Sequence, residues 1–244
     1  MIEWFKDWFD TDEYLNVYRS RNEEDAKKLV ELIINNVELQ PDDNILDLAC
    51  GTGRHSILFA EKGFNVTAVD LSKNLLSIAQ RAADESHVKV NYIRADLRQF
   101  SIDARFKLVI NLFTSIGYFE ADEENFKIIK TAYNQLNNSG YFVLDFFNRR
   151  FIEKNLVPES INNFSDETII QRRQIAEDRV KKQIIIEKNG ARKEYYESVR
   201  MFGKDELLNA ISYAGFRIDR YFGDYTGNIF DLENSPRIII IAQK

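Results

Sequence analysis

"DLACGTGRHS", residues 47–56, lies between two apolar runs in a chain that has only ten glycines in 244 residues. Two of them, Gly51 and Gly53, fall two positions apart. Glycine is selected where the backbone takes φ > 0, or where a neighbour must come closer than a Cβ permits. The run before the pair, NILDLA, reads as a buried strand, and RHSILFAEKG after it as a helix closed by Gly63. A strand, a tight glycine turn and a helix N-terminus form a ready ligand site at the carboxyl edge of a parallel sheet. Without a ligand they would be only a close strand-to-helix turn.

Working outward, residues 22–37 place Ala26, Leu29, Val30, Ile33 and Val37 at helical spacing, with acids in the first turn. FNVTAVD is a second strand, and LSKNLLSIAQRAADE an amphipathic helix with Ser72 as its N-cap. VKVNYIRAD and FKLVINLFT are the third and fourth strands. DEENFKIIKTAYNQLNNSG predicts a helix ended by Gly140, and GYFVLDFFN the fifth strand. Strand and helix alternate from 44 to 146, which predicts a doubly wound α/β domain with helices on both faces of a parallel sheet.

The pattern changes after residue 150. ETIIQRRQIA, RVKKQIIIEK and ARKEYYESVR predict three strands joined at Glu177-Asp178 and Asn189-Gly190, an antiparallel β-meander inserted over 160–202. GKDELLNAISYAGF returns to helix, and FRIDRYFGDY and PRIIIIAQK supply the last two strands. No repeat or low-complexity linker divides the chain. The expectation is one domain over 1–244, with a helical lid region over 1–40 and the meander as a lid or dimer surface.

Composition narrows the function. Hydrophobic residues make up 44% and charged residues 30%, ordinary for a globular protein. The net charge of -6, from 33 basic and 39 acidic residues, argues against a protein that tracks a nucleic-acid backbone. No apolar stretch is long enough for a membrane span, and the acidic, aromatic start MIEWFKDWFDTDEY does not resemble a signal peptide. A cytoplasmic location is expected. Cys50 is the only cysteine, and no HxH, HExxH or clustered-acid pattern points to a metal.

Asp70 ends the second strand 17 residues after Gly53, where an acid can accept from both ribose hydroxyls of an adenosine-type ligand; it could also only cap the next helix. Asp96 ends the third strand, where a carboxylate can accept from an exocyclic amino group or remain an exposed loop acid. A dinucleotide fingerprint G-x-G-x-x-G would need a third glycine at Ser56, so the pattern fails there.

"LDLACGTGRHS", "VDLS", "RADL" and "LVINLFTSIGYF" resemble the ordered motifs of class I S-adenosylmethionine-dependent methyltransferases. "VRMFGKDELLNAISYAGF" and "GDYTGNIFDLENSPRIIIIAQK" are similar to a bacterial small-molecule-type branch of that superfamily. The resemblance runs from about residue 10 to the end, and the first glycine motif is its most specific part. It implies a Rossmann-like seven-stranded mixed sheet with its last strand antiparallel, and S-adenosyl-L-methionine as cofactor. Position by position, it implies that Asp47, Ala49, Cys50, Gly51 and Gly53 border the methionine portion. Asp70 would hold the ribose, Leu71 pack on adenine, and Asp96 with the Leu97 amide read the adenine edge. Asn111, Leu112 and Phe113 would offer carbonyls to the methionine ammonium.

The acceptor side is less defined. A methyl transferred by in-line displacement goes to an amine without an obligatory base, or to a hydroxyl with one. His55 in the glycine turn is a candidate base; His87 lies away from the cofactor edge. In the loop after the fourth strand, Asn111 matches the first position of a nucleobase-methylating motif but both prolines are missing. Tyr118 and Phe119 there are candidates for the acceptor wall. Tyr14 and Tyr18 share a helix face, with Arg19 and Arg21 able to meet a carboxylate. In KEYYESVR, Tyr195 and Tyr196 face opposite sides, and Tyr196 is the candidate. The sequence thus predicts an enzyme methylating an amine or hydroxyl of a small-molecule acceptor, as monomer or homodimer. The alternatives are a non-catalytic cofactor-binding module and an NAD(P)-dependent oxidoreductase.

Overall fold

The computed structural model describes residues 3–19 and 23–244. Two short helices, α1 (Trp4–Trp8) and α2 (Asp12–Val17), precede a longer one, α3 (Glu23–Asn36). The alternating part follows as β1 (Asn44–Leu48), α4 (Arg54–Glu61), β2 (Asn65–Asp70), α5 (Lys73–Glu85), β3 (Val90–Arg94), β4 (Phe106–Asn111), α6 (Asp122–Gln135) and β5 (Leu136–Phe147). Then come α7 (Arg149–Asn155), β6 (Glu159–Asn163), β7 (Glu167–Ala176), β8 (Arg179–Lys188), β9 (Ala191–Arg200), α8 (Lys204–Tyr213), β10 (Arg217–Phe222) and β11 (Arg237–Gln243).

The main sheet has the order β10-β11-β5-β4-β1-β2-β3. β1, β2, β3, β4 and β5 pair in parallel, and β11 enters antiparallel between β5 and β10. Alternation along the central strands divides two cores. Leu46, Val109, Phe142 and Ile240 face α6 and α8 on one side, where Ile129 and Ile211 are buried. Ile45, Leu108, Val143 and Ile239 face α3 and α4 on the other, against Leu29, Ile33 and Phe59. Burying one such side chain stabilises by about 1.5–3 kcal/mol, so both faces hold the central strands in register.

α3 therefore packs on the sheet, while α1 and α2 do something else. Trp8, Tyr14 and Leu75 meet Ile169, Ile184 and Ile186 in a third cluster, where α2 and the end of α1 rest on the inserted sheet. At its edge Glu197 accepts from Trp8 Nε1 at 2.7 Å and from Tyr18 Oη at 2.6 Å, and pairs with Lys182 Nζ at 2.8 Å. Burial opposes ionisation of Glu197, but these partners outweigh it and hold its pKa below the ordinary carboxylate range.

Three sequence expectations change. The helix expected to run to Gly140 ends at Gln135, because Leu136 turns extended (ψ 146°) and buries its side chain beside Phe106. The Gln135 amide seals that end, donating to the Ile102 and Ala104 carbonyls at 3.1 Å. The inserted sheet has four strands, order β6-β7-β8-β9, rather than three. Its extra edge strand, ESINN, carries a single apolar residue that stays exposed, so it lacks the alternation of a half-buried strand. α7 was also not anticipated. It is capped by Asn148, whose Oδ1 accepts from the Arg150 amide while Nδ2 donates to the Leu232 and Ser235 carbonyls.

Candidate active site

The carboxyl ends of β4, β1, β2 and β3 open into one cleft of about 1040 Å³, roofed by α1 and α2. Its floor is the glycine turn. Ala49, Gly51 and Gly53 all take left-handed conformations (φ 61°, 58° and 76°). The turn is pinned by Cys50 N–H to Val69 O at 3.1 Å and by Gly53 N–H to Cys50 O at 3.0 Å. The two glycines have different jobs. A Cβ at Gly51 would meet no described atom within 4 Å, since the position looks into the cleft. A Cβ at Gly53 would lie 2.5 Å from Tyr92 Oη and 2.9 Å from Ala79 Cβ. Gly53 is thus required by helix–sheet packing, and it does not line the cleft.

Asp70 stands at the next strand end, buried, with Oδ2 accepting the Gly51 amide at 2.8 Å and Oδ1 the Ser72 amide at 2.9 Å. Burial raises its pKa despite these bonds. Each oxygen retains a further acceptor site. Asp96 ends the row on a forked pair with Arg98, whose Nη2 is 2.5 Å from Oδ2; those bonds hold its pKa below the ordinary range. Arg98 also reaches Glu3 at 2.8 Å, and Asp10 accepts from Ser72 Oγ at 2.7 Å and the Asn74 amide at 2.9 Å. The N-terminal segment is therefore latched beside both acids.

The opposite wall is aromatic. Phe5, Phe9, Tyr14, Phe113, Tyr118 and Phe119 line it, with Phe5 and Tyr118 stacked at 5.9 Å and Phe9 edge-on to Tyr14 at 5.0 Å. The loop carrying Tyr118 and Phe119 is gripped from two sides. Asn125 accepts from the Gly117 and Phe119 amides at 2.9 and 3.1 Å. Buried Arg179, from the inserted sheet, donates to the Gly117, Phe119 and Ser198 carbonyls at 3.1, 3.2 and 2.9 Å.

Of the residues singled out from the sequence, Ala49, Cys50, Gly51, Asp70, Leu71, Asp96, Leu97, Leu112 and Phe113 line the cleft, as do His55, Tyr14 and Tyr118. Five others do not. Asp47 lies beneath the turn, accepting from Ser56 Oγ at 2.5 Å. Gly53 packs as described, and Asn111 is fully buried, its Nδ2 donating to Leu48 O at 2.8 Å. Tyr18 is tied to Glu197, and Tyr196 is 57% exposed on the outer face. Its neighbour Tyr195 points inward, 4.4 Å from the Trp8 ring. Arg19 stacks on Phe164 and pairs with Glu167 at 3.4 Å; Arg21 lies outside the described residues. Sequence reasoning missed Phe5 and Phe9, although aromatics at 4, 5, 8 and 9 carry a helical i, i+4 spacing.

Burial, reinforced by nearby Asp70, pushes the Asp47 carboxyl up to about 7. Burial likewise pushes the Cys50 thiol well above its ordinary value, which leaves it a poor nucleophile.

A glycine-turn floor with carboxylates at two successive strand ends is the arrangement with which Rossmann-like folds receive a nucleoside. Residues 45–140 match the methyltransferase domain family. YqeM of Bacillus subtilis (strain 168), itself named only provisionally as a methyltransferase, is 29% identical over 82% of this chain and 83% of its own. A crystal structure of an S-adenosylmethionine-dependent methyltransferase from Clostridium acetobutylicum ATCC 824 superposes with TM-score 0.81 at 21% identity, covering 95% of this chain and 98% of that one. S-adenosylmethionine-bound CalS10, an amino pentose methyltransferase from Micromonospora echinaspora, has TM-score 0.65 at 19% identity, over 96% and 97%. The whole chain shares the fold of these S-adenosylmethionine-dependent methyltransferases, and its residues 45–140 carry the methyltransferase-domain match. The structure fits that cofactor on its own terms: Gly51 leaves open the space a side chain would fill, and Asp70 keeps acceptor capacity for a ribose diol.

Proposed function

We propose that this methyltransferase acts on an amine of a small molecule, with a hydroxyl acceptor as the second choice. The observation that carries this reading is the state of the carboxylates in the cleft. Asp70 is engaged by two backbone amides and Asp96 by Arg98. A hydroxyl acceptor needs a base at the reacting oxygen, whereas an amine can lose its proton to solution before it binds. The neighbours named as an amino pentose methyltransferase and a glycopeptide N-methyltransferase support the same acceptor class.

In this reading Gly51 and Asp70 hold the nucleoside, Leu71 and Leu97 flank its base, and Asp96 faces the base edge. The backbone of Asn111, Leu112 and Phe113 meets the amino-acid end. When bound, the cofactor supplies an electrophilic methyl on a sulfonium. The chain's own contribution is alignment and exclusion of water. The Phe5, Phe9, Tyr14 and Tyr118 rings form an apolar wall that also attracts a cation to its faces. The Tyr118 hydroxyl donates to Thr114 O at 2.8 Å, so the ring is fixed while its oxygen is committed. His55, largely buried but on the cleft lining, is the side chain that would serve a hydroxyl acceptor.

The experiment is a panel of small amines and alcohols with methyl-labelled cofactor. Label in amines, with rates rising as pH approaches the amine pKa, supports the proposal. Label in hydroxyls alone, with a rate lost in His55→Ala, replaces it by the second choice.

A further inference from the structure

We propose that Asp145, acting with Arg237, is a positioning residue that sets the Phe113–Thr114 turn against the amino-acid end of the cofactor; this rests on the cofactor placement above. Asp145, near the end of β5, has no solvent exposure. Its Oδ2 accepts from the Phe113 amide at 2.9 Å and from Tyr225 Oη at 3.1 Å, its Oδ1 from Arg237 Nε at 2.5 Å, and its backbone carbonyl from the Thr114 amide at 3.0 Å. Arg237 Nη2 completes the grip on Thr114 Oγ1 at 2.9 Å.

The turn so held is strained. Phe113 and Thr114 are consecutive non-glycine residues in left-handed conformation (φ 61° and 60°), and Thr114 is β-branched. Such residues persist where surrounding contacts over-determine them, and they cluster at functional sites. Here the Phe113 amide, the Thr114 amide and the Thr114 hydroxyl are all held by Asp145 and Arg237. The Phe113 ring is also flanked by Arg54 at 4.3 Å and Arg237 at 5.5 Å.

Sheet order gives the turn its place along the ligand. β4 flanks β1 on the side away from β2 and β3. The acids at the ends of those two strands address the nucleoside, so Phe113 stands at the other end of the cleft. A buried ion pair is weak evidence of stability, since an apolar pair can replace it at little cost. A pair with hydrogen bonds from both partners to a strained turn on the cleft wall has a positional reason to be there.

The test compares binding of S-adenosylhomocysteine with that of 5′-methylthioadenosine, which keeps the nucleoside but lacks the amino-acid end. Calorimetry on the full chain should show Asp145→Asn weakening S-adenosylhomocysteine about tenfold, with methylthioadenosine within about twofold. Arg237→Lys, which retains the charge but cannot bond Asp145 and Thr114 together, should show the same selective loss and guards against a misfolded Asp145 variant. Equal losses for both ligands, or none, overturn the proposal. A wild-type chain that binds neither ligand fails earlier, on the cofactor placement, and takes this inference with it.

Discussion

The carboxylate of Asp70 takes the Gly51 amide at 2.8 Å, joining the ends of two neighbouring strands across nineteen positions of sequence. The same group that shapes the glycine turn thus also lines the cleft above it. Asp70→Ala should weaken S-adenosylhomocysteine by about 1.5–3 kcal/mol, because charge-assisted bonds vanish. Calorimetry checks it; an unchanged affinity would mean that the carboxylate does not meet the ligand.

Gly51 and Gly53 should separate binding from stability. Gly51→Ala places a methyl group in the open cleft and costs only the left-handed backbone, about 1 kcal/mol, so affinity should collapse while the fold survives. Gly53→Ala forces a Cβ against Tyr92 and Ala79 and should destabilise by about 2–3 kcal/mol. Urea midpoints beside calorimetry test the pair; the reverse assignment would show that their roles have been exchanged.

Asp47 gives a pH signature. Between 3.8 and about 7 the folded chain keeps a proton on this carboxyl that the unfolded chain has lost. Its contribution to unfolding free energy therefore falls as pH rises through that window and is level above it. Asp47→Asn, which can still accept from Ser56, should flatten the slope and add stability at pH 8, by at most about 4 kcal/mol. Equal slopes for variant and parent would place the Asp47 proton elsewhere.

Arg179→Lys replaces a fork by a single ammonium and cannot hold the Gly117, Phe119 and Ser198 carbonyls together. Hydrogen exchange of the 115–120 amides should speed at least tenfold by order of magnitude, with S-adenosylhomocysteine affinity retained. Unchanged exchange would show that Asn125 alone secures the loop.

How far the sequence could be read follows from which physical signal each element left. The glycine turn, Asp70 and Asp96 were legible because turn chemistry and strand ends act locally. Ser56 looked like a failed third glycine; in the fold it is fully buried and donates to Asp47, a relation between a strand and a helix that motif spacing does not express. Tyr195 and Tyr196 were separable only by register. β9 sets Tyr195 opposite Ile184, and Glu197 on the same inward face disguised that face as polar. The Asp145–Arg237 pair joins positions 92 apart, and nothing local announced it.

The most direct measurement is a crystal of the chain soaked with S-adenosylhomocysteine. The account expects the nucleoside along the Gly51 backbone, both ribose hydroxyls on Asp70 and the amino-acid end at Phe113. Density for the ligand anywhere else, or a cleft that takes up NADH in its place, would contradict it.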